Sequence, residues 1–147
     1  MKVFTIGFTQ KTACQFFESL SSHCVDLLID VRLNNKSQLA GFAKYPDLGY
    51  FLDKICKIEY IHDPMLAPTE HLLKNYRNKE ISWSQYETAF EAIMIERNID
   101  QYLQSTYANA QNKSVCLLCS EPTAEKCHRR LIADHFSSVF HSDIVNM

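Results

Sequence analysis

The side chains with the widest chemical range in this chain of 147 residues crowd into one stretch, Cys119-Ser120-Glu121 and Cys127-His128-Arg129-Arg130. Two thiols, a carboxyl and an imidazole are the groups of nucleophilic and acid–base catalysis. Guanidinium groups beside them suit an anionic substrate. Cys119, Glu121, Cys127 and His128 are therefore the catalytic candidates, with Asp30, Arg32, Arg129 and Arg130 as substrate-binding candidates. If a helix starts near Thr123 or Glu125, Cys127 lies in its first turns, where unpaired N–H groups and the helix dipole favour a thiolate. Cys127 is then expected to react ahead of Cys14, Cys56 and Cys116, which packing should shield. On a helix Cys127 and His128 diverge by about 100°, so they pair only where the chain is not yet helical. A metal site would draw on Cys119, Glu121, Cys127 and His128, with His62. The Cys-x7-Cys-His spacing matches no closed structural zinc site, so no metal is assigned and no cofactor is named. Cys116 and Cys119 make no two-thiol clamp, because their side chains point to opposite faces of a strand.

The elements that must position these groups can be read from periodicity. Val115 to Cys119 is an apolar run without alternation, as in a strand covered on both faces, and Leu131, Ile132, His135 and Phe136 follow at helical spacing. Val3 to Ile6 is a first strand that stops at Gly7. A helix carrying Phe16, Phe17 and Leu20 comes next, with Thr9 or Thr12 as its cap. Val25 to Val31 is a second strand; Asp30 and Arg32 fall on one face at its end, as an orienting or basic pair or as a structural ion pair. Residues 32–46 form a polar loop with Asn34, Asn35, Lys36, Ser37, Gly41 and Lys44. Asp47 caps a helix with Leu48, Phe51, Leu52 and Ile55, and Ile58 to Ile61 is a third strand ending at His62.

The loop from Asp63 leads to a helix capped by Thr69. Residues 82–108 keep a helical period through Trp83, Tyr86, Phe90 and Met94, with Ser82 and Asp100 as caps and aromatic side chains to wall a pocket. Val139 to Val145 is an edge strand or an irregular tail. This β-α-β grammar predicts an α/β protein, a single three-layer domain over 1–147 with a mostly parallel sheet flanked by helices. Val3–Ile6, Val25–Val31 and Val115–Cys119 should be neighbours in it. Ligands of such sheets bind at strand carboxyl ends, so Asp30, Arg32, Cys119, Glu121, Cys127, His128 and Arg129 are expected in one pocket.

Composition narrows the class. Nearly half the residues are apolar, with three Gly and four Pro, which fits one packed core and not a fibrous or disordered chain. No run approaches eighteen apolar residues, and Met1-Lys2 leads straight into a strand, so a cytoplasmic protein with no membrane partner and reduced thiols is expected. A net charge of −2 gives no global case for nucleic acid. Lys36, Lys44, Arg129 and Arg130 make only a modest basic cluster, and the oligomeric state is not set.

Thr5-Ile6-Gly7, Leu28-Ile29-Asp30-Val31-Arg32, Leu66-Ala67-Pro68-Thr69, Ile81-Ser82-Trp83 with Tyr86, and Cys116-Leu-Leu-Cys-Ser-Glu before Cys127-His128-Arg129-Arg130 together carry a resemblance. Over nearly its whole length the chain resembles the family called domain of unknown function 488. The resemblance implies a small cytoplasmic α/β protein of microbial type, without an established reaction. Two function classes follow: an enzyme acting on a small anionic ligand, phosphate-bearing or nucleotide-like, or a non-catalytic module for nucleic acid or protein in which the cysteines are structural.

Overall fold

A computed structural model describes residues 1–36 and 40–147; Ser37 of the polar loop lies outside the described residues. Five parallel strands form one sheet in the order β3-β2-β4-β1-β5: β1 (Lys2–Gly7), β2 (Leu27–Asp30), β3 (Glu59–His62), β4 (Ser114–Cys119) and β5 (Ile144–Asn146). The three strands expected to be neighbours lie side by side as β2-β4-β1. The central ones are mostly apolar and buried beyond their first residues because helices cover both faces. Phe4, Ile6, Leu28, Cys116 and Leu118 face one cluster, packed on α1 (Ala13–Ser22), α2 (Asp47–Phe51) and the π-helical turn Leu52–Cys56. Val3, Leu27, Ile29, Val115, Leu117 and Cys119 face the other, packed on α3 (Glu70–Arg77), α4 (Trp83–Glu96), α5 (Ile99–Tyr107) and α6 (His128–Phe140). No helix of the described residues is long and apolar enough to cross a membrane.

Local chemistry explains most boundaries. Thr12 and Ser82 each make a reciprocal capping box, with Gln15 and Gln85, at about 1 kcal/mol per cap, and Thr69 caps α3. Two expected caps are corrected. Pro46 precedes α2, which places Asp47 inside the first turn, and α5 starts from Asn98 in the left-handed region, with Asp100 in its first turn. The Val139–Val145 stretch divides: α6 runs through Phe140, and only Ile144–Asn146 is strand, paired with β1 at the sheet edge.

Asp63, directly after β3, is buried and accepts hydrogen bonds from Tyr107 Oη (2.6 Å), Tyr102 Oη (2.9 Å) and the Met65 amide (3.0 Å), joining the β3 loop to α5. Burial, and then Asp63, push the Tyr102 hydroxyl up to about 12 and raise Tyr107 further. A raised tyrosine pKa contributes stability that is complete below the ordinary value near 10 and disappears as pH climbs through the folded value. Tyr107→Phe is expected to lower unfolding free energy by about 1.5–3 kcal/mol, the range for a hydrogen bond to a charged acceptor. Urea titration should show this loss at pH 7 and a reduced alkaline sensitivity above pH ~10.

Candidate active site

The connections leaving β1 and β2 pass to the α1–α2 face, whereas those leaving β3 and β4 pass to the α3–α6 face. β4 lies between β2 and β1. Chains that part in this way leave a crevice at the strand carboxyl ends, where ligands of open α/β sheets bind. A cleft of about 1280 Å³ opens there. Cys119, Cys127 and His128 are on its floor, Arg32 and Glu121 also line it, and Tyr76, Trp83 and Tyr86 contribute aromatic surface. Trp83 stacks on Tyr86 at 5.1 Å between ring centroids and 17° between planes.

Cys119 ends β4, and Cys127 is the extended residue that caps α6, which begins only at His128. The chain is thus not helical at Cys127, and Cys127 and His128 both turn towards Cys119. The two sulfurs and a His128 ring nitrogen lie within 4.8 Å of one another, and all three residues are buried. His128 Nε2 donates to the Val31 carbonyl (2.9 Å), which fixes the ring and leaves Nδ1 as the acceptor. Its nitrogens stand 3.7 and 3.8 Å from Cys119 Sγ. Near-equal distances put the sulfur off the in-plane lone-pair direction of Nδ1. The imidazole is therefore not aligned as a base towards Cys119. The same orientation weighs against a metal held by these three donors, since an imidazole ligates through its in-plane lone pair.

Arg129 decides the electrostatics. Its side chain is fully buried, donating to the Glu121 carbonyl (2.6 Å), Cys127 Sγ (3.4 Å) and Thr5 Oγ1 (3.4 Å), and no carboxylate lies within ion-pair distance among the described residues. A buried cation demands a nearby anion. The thiols of Cys127 and Cys119 are the groups beside it able to ionise. Cys119 is held below the usual thiol range, first by the Cys127 S–H bond and, against the cost of burial, by the backbone N–H groups of Ser120 and Glu121 and the charge of Arg129. Cys127 is pushed well above that range by its bond to Cys119 and by burial. These bonds favour the anionic form on Cys119 over Cys127, whereas the sequence led us to expect the more reactive thiol at Cys127. Cys14, expected to be shielded, is exposed, while Cys116 is buried as expected and raised by burial. Burial, followed by the charges of Cys119 and Cys127, also raises Tyr86, so its hydroxyl stays protonated.

The other candidates separate. Arg32 lines the cleft, but its Nε and Nη2 are committed to Asp30 (2.7 and 2.6 Å) and Nη2 also to the Ala43 carbonyl (2.8 Å). Asp30 sits behind it, bonded to Tyr60 Oη (2.8 Å), so this pair is a buried clamp on the α1–α2 side. Arg129 lies beneath the loop, and Arg130 turns out of the cleft to pair with Glu87 and Asp134. The one pocket expected to hold seven residues is thus lined by five of them, without Asp30 and Arg129. Sequence reasoning missed Lys74, Arg77, Lys79 and Lys126, which line the cleft. The available signal was three cations around the end of α3 followed closely by Trp83 and Tyr86.

The family model for Domain of unknown function DUF488 matches residues 12–136. The chain belongs to the DUF488 family. That match takes in every candidate residue from Asp30 to Arg130. Neither a curated protein nor a solved structure matches the chain.

The loop that carries this DUF488 site is held from below. Thr9 donates from its amide (3.2 Å) and its hydroxyl (2.6 Å) to the Ser120 carbonyl, and a Cβ on Gly7 would meet the Glu121 carbonyl oxygen at 1.7 Å. Only glycine permits this approach. Gly7→Ala is expected to cost about 3 kcal/mol, the upper end for overpacking, by pushing Glu121 off Arg129. Thermal unfolding should show that loss, and Cys119 alkylation at pH 7 should slow at the same time.

Proposed function

We propose that this chain is an enzyme in which the Cys119 thiolate is the nucleophile towards an anionic, phosphate-bearing or nucleotide-like substrate. The observation that carries this is the pairing of Cys119 with Cys127 over a buried Arg129 that has no carboxylate partner among the described residues. A structural pair of thiols has no need of a charge; this one is built to keep a single proton between two sulfurs, at the place where the fold opens to solvent. Attack by Cys119 Sγ forms a bond to the electrophilic atom. The leaving group departs with its electron pair and takes the proton held by Cys127. The exposed Glu121 carboxylate on the cleft wall is the candidate base for the water that then releases the product. Arg32 fixes the loop after β2 through Asp30, and the basic side chains around the opening attract the substrate.

The alternative is a structural cluster or a metal site on Cys119, Cys127 and His128, favoured by the closeness of the three donors. One experiment separates them. In a Cys14→Ser/Cys24→Ser/Cys56→Ser background, the rate of Cys119 alkylation by iodoacetamide, followed by mass spectrometry, should rise with a midpoint below the ordinary thiol value of about 8.5. Cys127 should stay unlabelled. Arg129→Gln should move the midpoint upwards by about one unit or more, because the compensating cation is gone. Equal protection of all three remaining cysteines points to structural thiols, and protection of Cys119 by stoichiometric zinc points to the metal.

A further inference from the structure

We propose that the natural occupant of the cleft is a single-stranded polynucleotide, bound by cations along the walls and by bases stacked on the Trp83 aromatic surface. This rests on the proposed catalytic site and names its substrate class. Three observations carry it. The first is charge segregation: Lys36, Lys74, Arg77, Lys79 and Lys126 line this one cleft, five of the fifteen Lys and Arg in the chain, together with Arg32, whose charge Asp30 balances. Only Glu70 and Glu121, two of the seventeen Asp and Glu, line it with them. A chain of net charge −2 has thus gathered a positive cleft, and the modest cluster read from sequence counted the wrong arginines.

The second observation is the aromatic surface. Tyr76, Trp83 and Tyr86 line the same cleft, with Tyr76 tilted against Trp83 at 5.6 Å and against Tyr86 at 5.0 Å. Trp83 and Tyr76 are only partly buried, so they offer ring faces and edges to a ligand while packing on the core. Cations beside aromatic rings are what a single strand needs, since phosphates recur along it and every base has a π-face. The third is size. At about 1280 Å³ the cleft exceeds the roughly 300–1,000 Å³ of ordinary small-molecule pockets, so it suits several linked nucleotides better than one. A duplex would present its bases edge-on and leave the aromatic surface unused.

Trp83 is the one tryptophan of the chain and reports on its own site. Titration with a twelve-residue single strand of deoxythymidine, and separately of uridine, is expected to quench its fluorescence. The logarithm of the association constant should fall against the logarithm of salt with a slope of about −0.7 for each phosphate neutralised. Lys74→Gln/Arg77→Gln/Lys126→Gln, three exposed side chains whose loss leaves the core intact, should weaken binding at least tenfold and flatten that slope by about 2. Stronger binding of uridine than of thymidine strands would identify RNA, and the reverse DNA. A bound strand should also protect Cys119 from alkylation. Quenching by thymidine monophosphate with no gain for the twelve-mer would overturn the proposal in favour of a small nucleotide, as would a duplex that competes equally. An absence of any strand binding in protein whose Cys119 still alkylates at low pH would overturn it and leave the thiolate enzyme standing; a strand that binds while Cys119 proves inert would do the opposite.

Discussion

A guanidinium group removed from water without a carboxylate beside it is the constraint around which this protein is arranged. Arg129 holds the β4–α6 loop from beneath, reaching the Glu121 carbonyl, the Cys127 sulfur and the Thr5 hydroxyl from a fully buried position. Its hydrogen bonds satisfy the N–H groups but leave the charge, and an uncompensated charge in such surroundings costs several kcal/mol. The groups beside it that can ionise are the thiols of Cys127 and Cys119. The same residue therefore braces the loop and, by its charge, favours ionisation of the sulfurs above it.

Which sulfur ionises more readily follows from backbone direction. At the end of β4 the chain turns, and the amides of Ser120 and Glu121 point back at Cys119, as backbone N–H groups do where a strand passes into a turn. Cys127, one position before α6, offers its own S–H to Cys119 and so remains the donor of the pair. The helix dipole, worth roughly 0.3–1 kcal/mol, acts on both sulfurs and cannot choose between them. Discrete hydrogen bonds, roughly twice as strong when charge-assisted as when neutral, make the choice. His128, held by the Val31 carbonyl, lays its ring against the same sulfur and ties the end of β2 to the loop after β4.

The cleft above the sulfurs owes its walls to topology. Because β2 and β4 send their chains to opposite faces, a gap stays open between the loop carrying Arg32 and the loop carrying Glu121. The Asp30–Arg32 pair locks the first loop by fixing Arg32 on Asp30 and on the Ala43 carbonyl. Breaking one partner of so buried a pair costs about 3–5 kcal/mol, which makes it a strut of the wall more than a free anion binder. Lys74, Arg77 and Lys79, free of that duty, give the opening its sign.

The sequence by itself determined the sheet and the short list of reactive residues. Apolar runs of strand length, Gly7 at a strand end, and Thr12, Thr69 and Ser82 at helix starts are local signals, and the neighbourhood of the three strands in a parallel sheet followed from them, whereas the insertion of β4 between β2 and β1 did not. The opposed faces of Cys116 and Cys119 were legible for the same reason, since strand alternation is a property of a few bonds. Tertiary structure decided everything that depends on what lies across a gap. Arg129 and Arg130 are neighbours in the chain, yet one is a buried brace and the other a surface ion pair, because successive residues on α6 point about 100° apart. α6 starts at His128 instead of Thr123, which leaves Cys127 extended beside Cys119, and the loop before it is held by Gly7 and Thr9, which are far away in sequence. The basic wall escaped notice because its cations come from separate segments that only the folded sheet brings to one edge.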